Sequence, residues 1–300
     1  KESSCSRCCN QYLRIIMIIW LASYPKSGNT WLRALLTSYF YTENGSFDFN
    51  ILKKISQFPS KNYFKSYPNK FKNIPDTAEF WISEQERINS DSKFRIFKTH
   101  NAYLNVNNFR FTNRKNTAGC IYIIRDPRNV LTSVGNHYEH NIEQALNFMV
   151  NDKNLLHQKI DNRFLGFQFL SSWKNHYNSW MVRKEFPVKV IKYEDLEVNT
   201  LKVLEEVIDF INTIAKFNKS FDKEKGLKCV ESTKFEKLKK LEQEFGFKEA
   251  AIGQKTGKKI KFFNLGTENK WQNTLPVEFK KRINDIFKED LMKWNYKIND

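Results

Sequence analysis

The sequence has few cysteines, and their spacing builds neither a metal site nor a disulfide framework. Of the five, Cys5, Cys8 and Cys9 lie within the first nine residues, whereas Cys120 and Cys229 are far apart. The pair at positions 5 and 8 is half of a zinc knuckle, but no second cysteine pair or histidine pair follows at ligand spacing. We therefore expect no bound metal. The absence of a disulfide framework favours a reducing compartment.

The apolar run from Leu13 to Ala22 is too short to cross a membrane. A spanning helix needs about 20 apolar residues. The run leads directly into a polar turn, so a signal-peptide cleavage here would cut the strand that precedes the turn. Together with the cysteine usage, this predicts a cytoplasmic protein.

Acidic residues are scarce relative to basic ones. The chain has 33 Asp and Glu against 50 Lys and Arg, which gives a formal net charge of +17. Such an excess attracts anions over long distances, so a nucleotide, nucleic acid or an acidic membrane surface would all be favoured. The basic residues are scattered, without an RGG tract, a Cys/His finger or a uniformly basic helix. We expect no specific nucleic acid partner, and peripheral contact with an acidic membrane stays open.

The stretch IIMIIWLASYPKSGNTW, from Ile15 to Trp31, predicts a strand, a turn and a helix. A β-branched apolar run stops at Pro25 and Gly28, and a helical pattern follows. The first N–H groups of a helix have no intrahelical partner, and the helix dipole adds positive charge there, so this turn is suited to an anion. The alternative is that these residues form an ordinary turn between a strand and a helix and bind no ligand.

This turn is not a Walker A loop, because Lys26 precedes Gly28. The segment YPKSGNTW, from Tyr24 to Trp31, instead resembles the phosphosulfate loop of sulfotransferases that use 3′-phosphoadenosine 5′-phosphosulfate (PAPS). The family more often has Thr at the position of Asn29. The resemblance implies an α/β, P-loop-like three-layer fold, in which helices cover both faces of a central parallel sheet. It also implies transfer of a sulfuryl group from PAPS to a hydroxyl or amine acceptor, with adenosine 3′,5′-bisphosphate (PAP) as product and no metal.

A second segment, KFRIFKTH, is an alternating strand that ends in Lys98, Thr99 and His100. Ligands of parallel sheets bind at the carboxyl ends of strands, so His100 lies where chemistry is expected. A single histidine is often structural, but this one resembles the catalytic base of the family's KTH segment. Lys98 would then support charge neutralisation.

A third segment, GCIYIIRDPR, is a continuous apolar strand followed by a helix from Pro127 to about Tyr138. Arg125 ends the strand, and Ser133 follows eight residues later. This spacing resembles the family signature that binds the 3′-phosphate of the nucleotide. The alternative is a structural ion pair between Arg125 and Asp126.

Two further segments resemble parts of the nucleotide site. In VKVIKYEDL, Tyr193 corresponds to a residue that contacts the adenine side, and we expect Glu194 and Asp195 to cap the next helix. The segment FFNLGTENKW resembles the family's last loop, which covers the nucleotide with residues that correspond here to Phe263, Asn264, Leu265 and Gly266. Asn264 and Leu265 replace two cations that usually bind the 3′-phosphate. Nearby lysines that could compensate are Lys258, Lys259, Lys261 and Lys270.

The remaining pattern predicts mostly helices. We expect them at Ile142–Asn151, Leu165–Arg183, Leu201–Ile214 and Val277–Trp294, with Lys-rich helices between Phe221 and Phe245. Residues 44–75 predict loops with short helices. No repeat or linker divides the chain, so we predict one domain over residues 17–300. Residues 1–16 match nothing in the resemblance, and our hypothesis is that Met17 is the natural start.

The resemblance assigns a role to each site residue. His100 would accept the proton of the acceptor, and Lys26 would neutralise the bridging oxygen of the leaving nucleotide. The 5′-phosphate would be held by Ser27, Gly28, Asn29, Thr30 and the loop backbone, and Trp31 would stack on adenine. The acceptor could be a small molecule such as a phenol, a glycan or a lipid headgroup.

Two other functions remain open from the sequence. A basic protein could use the same fold to bind a nucleotide, nucleic acid or an acidic membrane without turnover. A nucleotide kinase with a degenerate P-loop is less consistent with the sequence, which lacks the Lys-Ser/Thr order and an obvious carboxylate for Mg²⁺. The sequence predicts no oligomeric state.

Overall fold

A computed structural model describes residues 18–67, 71–253 and 257–298, and its centre is a four-stranded parallel sheet. The strands are β1 (Ile18–Ser23), β2 (Arg95–Thr99), β3 (Thr117–Ile124) and β4 (Val188–Lys192). Their order is β4-β3-β1-β2, and every neighbouring pair is parallel. The cysteines at positions 5, 8 and 9, for which no bound metal is expected, and the proposed start at Met17 lie outside the described residues.

The central strands are apolar on both faces because both faces are covered. In β1, Ile19 and Leu21 pack with Ile121 on one side, and Trp20 and Ala22 pack in the cluster of the other side. All six residues of β1 are buried. Near-continuous hydrophobic strands are typical of parallel sheets that lie between two helical layers. The predicted three-layer α/β fold is therefore confirmed.

Helices occupy most of the remaining described chain. They are α1 (Asn29–Tyr41), α2 (Lys61–Phe64), α3 (Trp81–Ile88), α4 (Pro127–Tyr138), α5 (Ile142–Val150), α6 (Trp173–Val182), α7 (Tyr193–Val198), α8 (Thr200–Ala215), α9 (Lys223–Ser232), α10 (Phe235–Phe245), α11 (Trp271–Thr274) and α12 (Val277–Lys293). Short 3₁₀ helices occupy Phe49–Lys54, Ile74–Phe80, Asn89–Asp91 and Gly266–Glu268. The predicted helices at α4, α5, α8 and α12 are confirmed. No helix in the described part of the chain is long and apolar enough to cross a membrane.

The predicted helix at Leu165–Arg183 is wrong in its first half. The helix begins only at Trp173, where the Ser172 side chain caps it by accepting a hydrogen bond from the Asn175 N–H. Before it, Gln168–Phe169 pairs with Leu155–Leu156 in a short antiparallel ladder. Two similar pairs join Asn105–Val106 to Phe109–Arg110 and Lys159–Ile160 to Arg163–Phe164.

The segment after α1 extends the sheet beside β2. The Lys98 N–H donates to the Ser56 carbonyl at 2.9 Å, and the Phe58 N–H donates to the Lys98 carbonyl at 2.9 Å. Gln57 thus lies opposite Lys98 in parallel register. The expectation of loops with short helices in this region is confirmed, and the segment also forms part of the wall of the site described next.

Candidate active site

The five segments singled out in the sequence meet at one cavity of about 350 Å³. It lies at the carboxyl ends of the four strands, because each segment begins where a strand ends or lies over those ends. The predicted residues that line it are Lys26, Gly28, Asn29, Thr30, Trp31, Lys98, His100, Arg125, Ser133, Tyr193, Phe263, Asn264, Leu265 and Gly266. Ser27 is buried behind this lining, and its hydroxyl has no hydrogen-bond partner among the described residues.

The loop after β1 presents main-chain N–H groups to the cavity. Lys26 and Gly28 have left-handed backbones, with φ of 66° and 98°. A Cβ on Gly28 would lie 2.4 Å from the Tyr193 ring, so this position also requires glycine for space. Helix α1 then begins without a side-chain cap. In the described structure, the N–H groups of residues 27–30 have no hydrogen-bond acceptor. These four unpaired N–H groups, called the N–H cradle below, are suited to bind an anion.

The Asn29 side chain fixes this loop to β1. Its Nδ2 donates to the Leu21 carbonyl at 3.0 Å and to the Ser23 hydroxyl at 3.2 Å. Both amide hydrogens are therefore used within the protein, and only the Oδ1 acceptor is left without a described partner. Asn29 can serve an anion through its main-chain N–H, while its side chain holds the loop in place.

The His100 imidazole is held in one tautomer. Its Nδ1 lies 2.8 Å from the Ser23 carbonyl oxygen. A carbonyl only accepts, so Nδ1 carries the proton and Nε2 keeps a lone pair. Burial is the main reason that the pKa of His100 lies well below its ordinary value of 6.5, and the positive charge of Lys98 lowers it further. The ring is neutral at physiological pH, which is the form a general base requires.

A second histidine supports the segment that carries His100. The Nε2 of His176 donates to the His100 carbonyl at 3.0 Å, and the Tyr122 hydroxyl donates to the His176 Nδ1 at 2.8 Å. Burial lowers the pKa of His176 to about 4, so this ring is also neutral. The sequence did not indicate a role for His176 or Tyr122 in the site. A histidine inside an apolar helix stripe has no motif that distinguishes it.

Glu249 pairs with two buried cations at the cavity wall. Its Oε2 lies 2.7 Å from the Lys98 Nζ, and its Oε1 pairs with Arg33. Burial alone would raise the pKa of Glu249, but Lys98 and Arg33 hold it well below its ordinary value. Lys98 thus belongs to the predicted site, but its charge is shared with a carboxylate that the sequence did not indicate.

Lys26 lies partly buried against the ring of Phe262. Its Nζ is 3.8 Å from the centroid of this ring. Burial and the neighbouring charges of Lys98 and Arg125 lower the pKa of Lys26 to about 7. An anion in the cradle would offset these effects and favour the charged ammonium.

Arg125 is buried and faces the cavity. Its guanidinium carbon lies 4.0 Å from the centroid of Tyr193, and its Nε has no partner among the described residues. The alternative of an ion pair with Asp126 is wrong, because Asp126 pairs with Arg128 at 2.7 Å. Arg125 is therefore available to an anionic ligand.

The expectation that Glu194 and Asp195 cap the next helix is also wrong. The Glu194 carboxylate accepts hydrogen bonds from the Asp126 N–H and the Tyr296 hydroxyl, both at 3.0 Å. The short helix α7 intervenes, and Asn199 caps α8. Glu194 therefore ties the turn after β3 to the turn after β4.

The last loop is held over the cavity by a carboxylate. The two oxygens of Glu242 accept from the main-chain N–H groups of Phe262 and Phe263, at 2.8 and 2.9 Å. Gly266 has φ of 57° and lies against the Phe235 ring, which leaves no room for a Cβ. The four lysines considered as replacements for the missing cations do not line the cavity; they are Lys258, Lys259, Lys261 and Lys270. No cluster of His, Cys, Asp and Glu suited to a metal ion occurs among the described residues.

Comparison with known families identifies the family of this chain. A family model described as "Sulfotransferase domain" matches residues 18–295. The chain belongs to the sulfotransferase family. This sulfotransferase is 25% identical over 284 residues to Cytosolic sulfotransferase 3 of Arabidopsis thaliana, an alignment that covers 91% of this chain and 76% of the relative.

Two other relatives of this sulfotransferase carry acceptor names. Flavonol 3-sulfotransferase of Flaveria bidentis is 22% identical over 281 residues, with 91% of this chain and 81% of the relative covered. Amine sulfotransferase of Oryctolagus cuniculus is 22% identical over 291 residues, with 94% and 84% covered. The fold is similar to that of retinol dehydratase in a complex with retinol and PAP, with a TM-score of 0.56 and 17% identity over 91% of this chain and 81% of that chain.

Replacing Glu249 with glutamine is expected to destabilise this sulfotransferase. Lys98 and Arg33 are 7% and 5% exposed, so the change leaves two buried cations without a carboxylate. Because Glu249 itself is 30% exposed, the free energy of unfolding should fall by about 2 to 4 kcal/mol, somewhat less than for a fully buried pair. Urea denaturation at pH 7 measures the loss.

The matched control for this prediction is Glu206→Gln, which removes a more exposed pair with Lys189. A lowered carboxyl pKa stabilises the fold above the unfolded pKa, near 4.5, and this contribution disappears as the pH falls. The difference between wild type and Glu249→Gln should therefore shrink from pH 7 towards acid. Equal losses in the two variants at pH 7 would contradict the prediction.

Proposed function

We propose that this chain transfers the sulfuryl group of PAPS to a hydroxyl or amine acceptor and releases PAP. The observation that carries the proposal is a neutral His100, with Nε2 unprotonated, beside the N–H cradle of α1 and the cations of the cavity. Family membership and solved relatives that contain PAP support the same chemistry.

His100 acts as the general base in this proposal. Its Nε2 takes the proton of the acceptor hydroxyl while that oxygen attacks sulfur in line with the departing phosphate oxygen. The Ser23 carbonyl keeps Nδ1 protonated, so the base does not change tautomer during the step. The His176 and Tyr122 hydrogen bonds hold the His100 carbonyl and hence the end of β2.

Lys26 and the loop backbone hold the phosphosulfate. The N–H groups of residues 27–30 bind the 5′-phosphate, and Lys26 neutralises the charge that develops on the bridging oxygen. Lys98, which also lines the cavity, adds positive potential that Glu249 partly offsets.

Arg125 and Ser133 bind the 3′-phosphate, and aromatic rings bind adenine. The fit is supported by buried polar atoms without a described partner, among them the Arg125 Nε and the Trp31 Nε1. Trp31 packs edge-on to Tyr193 at 5.8 Å between centroids, so both rings can flank a base. Asn264 and Leu265 line the cavity without charge, which leaves Arg125 as the main cation for the 3′-phosphate.

The acceptor in this proposal is a small molecule, and the compartment is the cytoplasm. Relatives are named for flavonol, amine and luciferin acceptors, and others are named cytosolic. The experiment that tests the function is a transfer assay with labelled PAPS and a panel of alcohols, phenols and amines. Formation of PAP that depends on an acceptor supports the function, and its absence with every acceptor opposes it.

We predict that the protein binds PAP more tightly than 5′-AMP. A charge-assisted hydrogen bond contributes roughly 1.5 to 3 kcal/mol, so the 3′-phosphate should improve affinity by about tenfold to a hundredfold. Titration calorimetry with the two nucleotides measures the ratio. Arg125→Ala should remove most of the difference.

The control for this prediction is Arg114→Ala, which removes the same charge from an exposed position outside the cavity. It should leave the ratio unchanged. Equal affinity of the wild type for PAP and 5′-AMP would contradict the assignment of Arg125 to the 3′-phosphate.

A further inference from the structure

Two glutamines, Gln57 and Gln168, line the cavity that contains His100. Gln57 lies beside β2, because its segment pairs with Lys98 in parallel register. Gln168 contacts His100 directly, because its Oε1 accepts a hydrogen bond from the His100 N–H at 3.3 Å. Both residues line the main cavity. The cavity that contains the base is therefore also lined by two amide side chains.

These amides keep hydrogen-bonding capacity that the protein does not use. Among the described residues, the Gln57 side chain has no hydrogen-bond partner, and Gln168 engages only its oxygen. Gln168 is 95% buried, since its exposed fraction is 5%. Neither amide is among the buried polar atoms that lack a partner, so the unused groups are open to the cavity, where a ligand or water can reach them. The unused groups are two N–H₂ donors and one carbonyl acceptor.

A second cavity of about 290 Å³ adjoins the main cavity at these amides. It shares Gln57, Gln168 and Leu156 with the main cavity. Its other lining side chains are mostly polar, among them Ser60, Lys61, Asn62, His157 and Gln158. The polar side chains of this second cavity can form hydrogen bonds with a polar acceptor at several points. A flat aromatic or steroid acceptor would leave these polar groups unpaired.

We propose that the acceptor is a saccharide, bound with one hydroxyl at the Nε2 of His100 and neighbouring hydroxyls on Gln57 and Gln168. This inference rests on the proposed function and names its substrate class. The carbohydrate oxygen forms the new bond to sulfur as the bond from sulfur to the 5′-phosphate oxygen breaks. The hydroxyl proton passes to His100, and PAP leaves with the bonding electrons.

The experiment compares acceptors of different chemistry in the same assay of PAP formation. The saccharides are methyl β-glucoside, methyl β-galactoside and N-acetylglucosamine, and the competitors are 2-naphthol, cyclohexanol and benzylamine. We expect kcat/KM for at least one saccharide to exceed that of every competitor by about tenfold or more, because sites built for hydrogen bonding discriminate strongly against ligands without those groups. A competitor that exceeds all three saccharides overturns the proposal.

The variant Gln57→Leu tests the proposed contact. It should raise KM for the saccharide by about tenfold and leave the affinity for PAP unchanged, since one lost hydrogen bond has this order of effect. Gln272→Leu, at an exposed position outside both cavities, is the matched control. An unchanged saccharide KM in Gln57→Leu overturns the assigned contact.

Failure of this inference is distinguishable from failure of the proposed function. If no acceptor is sulfated, saturation-transfer NMR on the complex with PAP measures saccharide binding directly. Binding that Gln57→Leu weakens supports the saccharide site, and no binding of any saccharide overturns it. Loss of PAP binding in the wild type would instead oppose the proposed function itself.

Discussion

Replacing His100 with alanine is expected to abolish most sulfuryl transfer to an alkyl alcohol while PAP binding is retained. The residue provides the unprotonated Nε2 that takes the hydroxyl proton, and general base catalysis contributes about a hundredfold to ten-thousandfold. The described hydrogen bonds of the ring to the phosphate-loop strand go to Ser23 alone, to its carbonyl at 2.8 Å and its hydroxyl at 3.4 Å, and none goes to residues 24–30, so nucleotide affinity should change little. Single-turnover rates with labelled PAPS, with calorimetry for PAP, measure the two effects.

The acceptor and the control decide how this experiment is interpreted. A phenol that ionises unaided would hide the need for a base, so the acceptor must be an alcohol or a sugar. His137 is the matched control, because its imidazole lines the same cavity but its Nδ1 has no hydrogen-bond partner among the described residues that would fix its tautomer. His137→Ala should cost far less activity. If His137→Ala has the larger effect, or if His100→Ala transfers at the wild-type rate, the base is assigned to the wrong residue.

Lys26→Ala is expected to lose both PAP affinity and transfer. Lys26 contacts the phosphosulfate before and during transfer in this proposal, so its removal weakens binding and slows the chemical step. The loss of a charged contact should reduce PAP affinity by about tenfold to a hundredfold. Calorimetry and single-turnover rates measure the two losses, with Lys115→Ala as an exposed control for net charge.

The pH dependence of binding provides a second measurement for Lys26. Burial lowers its pKa to about 7, so the empty site holds a neutral lysine at higher pH. A bound polyanion favours the ammonium, and PAP binding should therefore take up a proton above pH 7 and weaken as the pH rises. Calorimetry in buffers of different ionisation enthalpy measures the proton. Proton uptake that persists in Lys26→Ala would show that another group titrates.

The local motifs predict the position of the site because they are short and continuous in the chain. A strand, a turn with Gly28 and a helix fix the cradle, and the ends of β2 and β3 bring His100 and Arg125 beside it. Glu249 could not be predicted in this way. It lies 216 residues from Arg33 in sequence, and only the tertiary fold brings the two side chains together.

The error at Leu165–Arg183 has a local cause. The apolar residues of a short strand pair and of α6 follow each other closely, and together they imitate one helical stripe. Ser172 is the N-cap of α6, but the apolar periodicity continues across it and so does not show the boundary. Ser171 has a left-handed backbone with φ of 58°, which is incompatible with a helix that continues through this position. The Ser172 cap therefore marks the true start of the helix within the apolar stripe.

The hydrogen bond between His100 and the Ser23 carbonyl has a consequence for how acceptor choice can change over evolution. A main-chain carbonyl of β1 fixes the proton on His100, and no side-chain substitution removes that carbonyl. The wall around the acceptor is made of side chains such as Gln57, which are replaceable one at a time. Descendants of this chain can therefore acquire new acceptors through ordinary point mutations and inherit the proton-accepting chemistry intact.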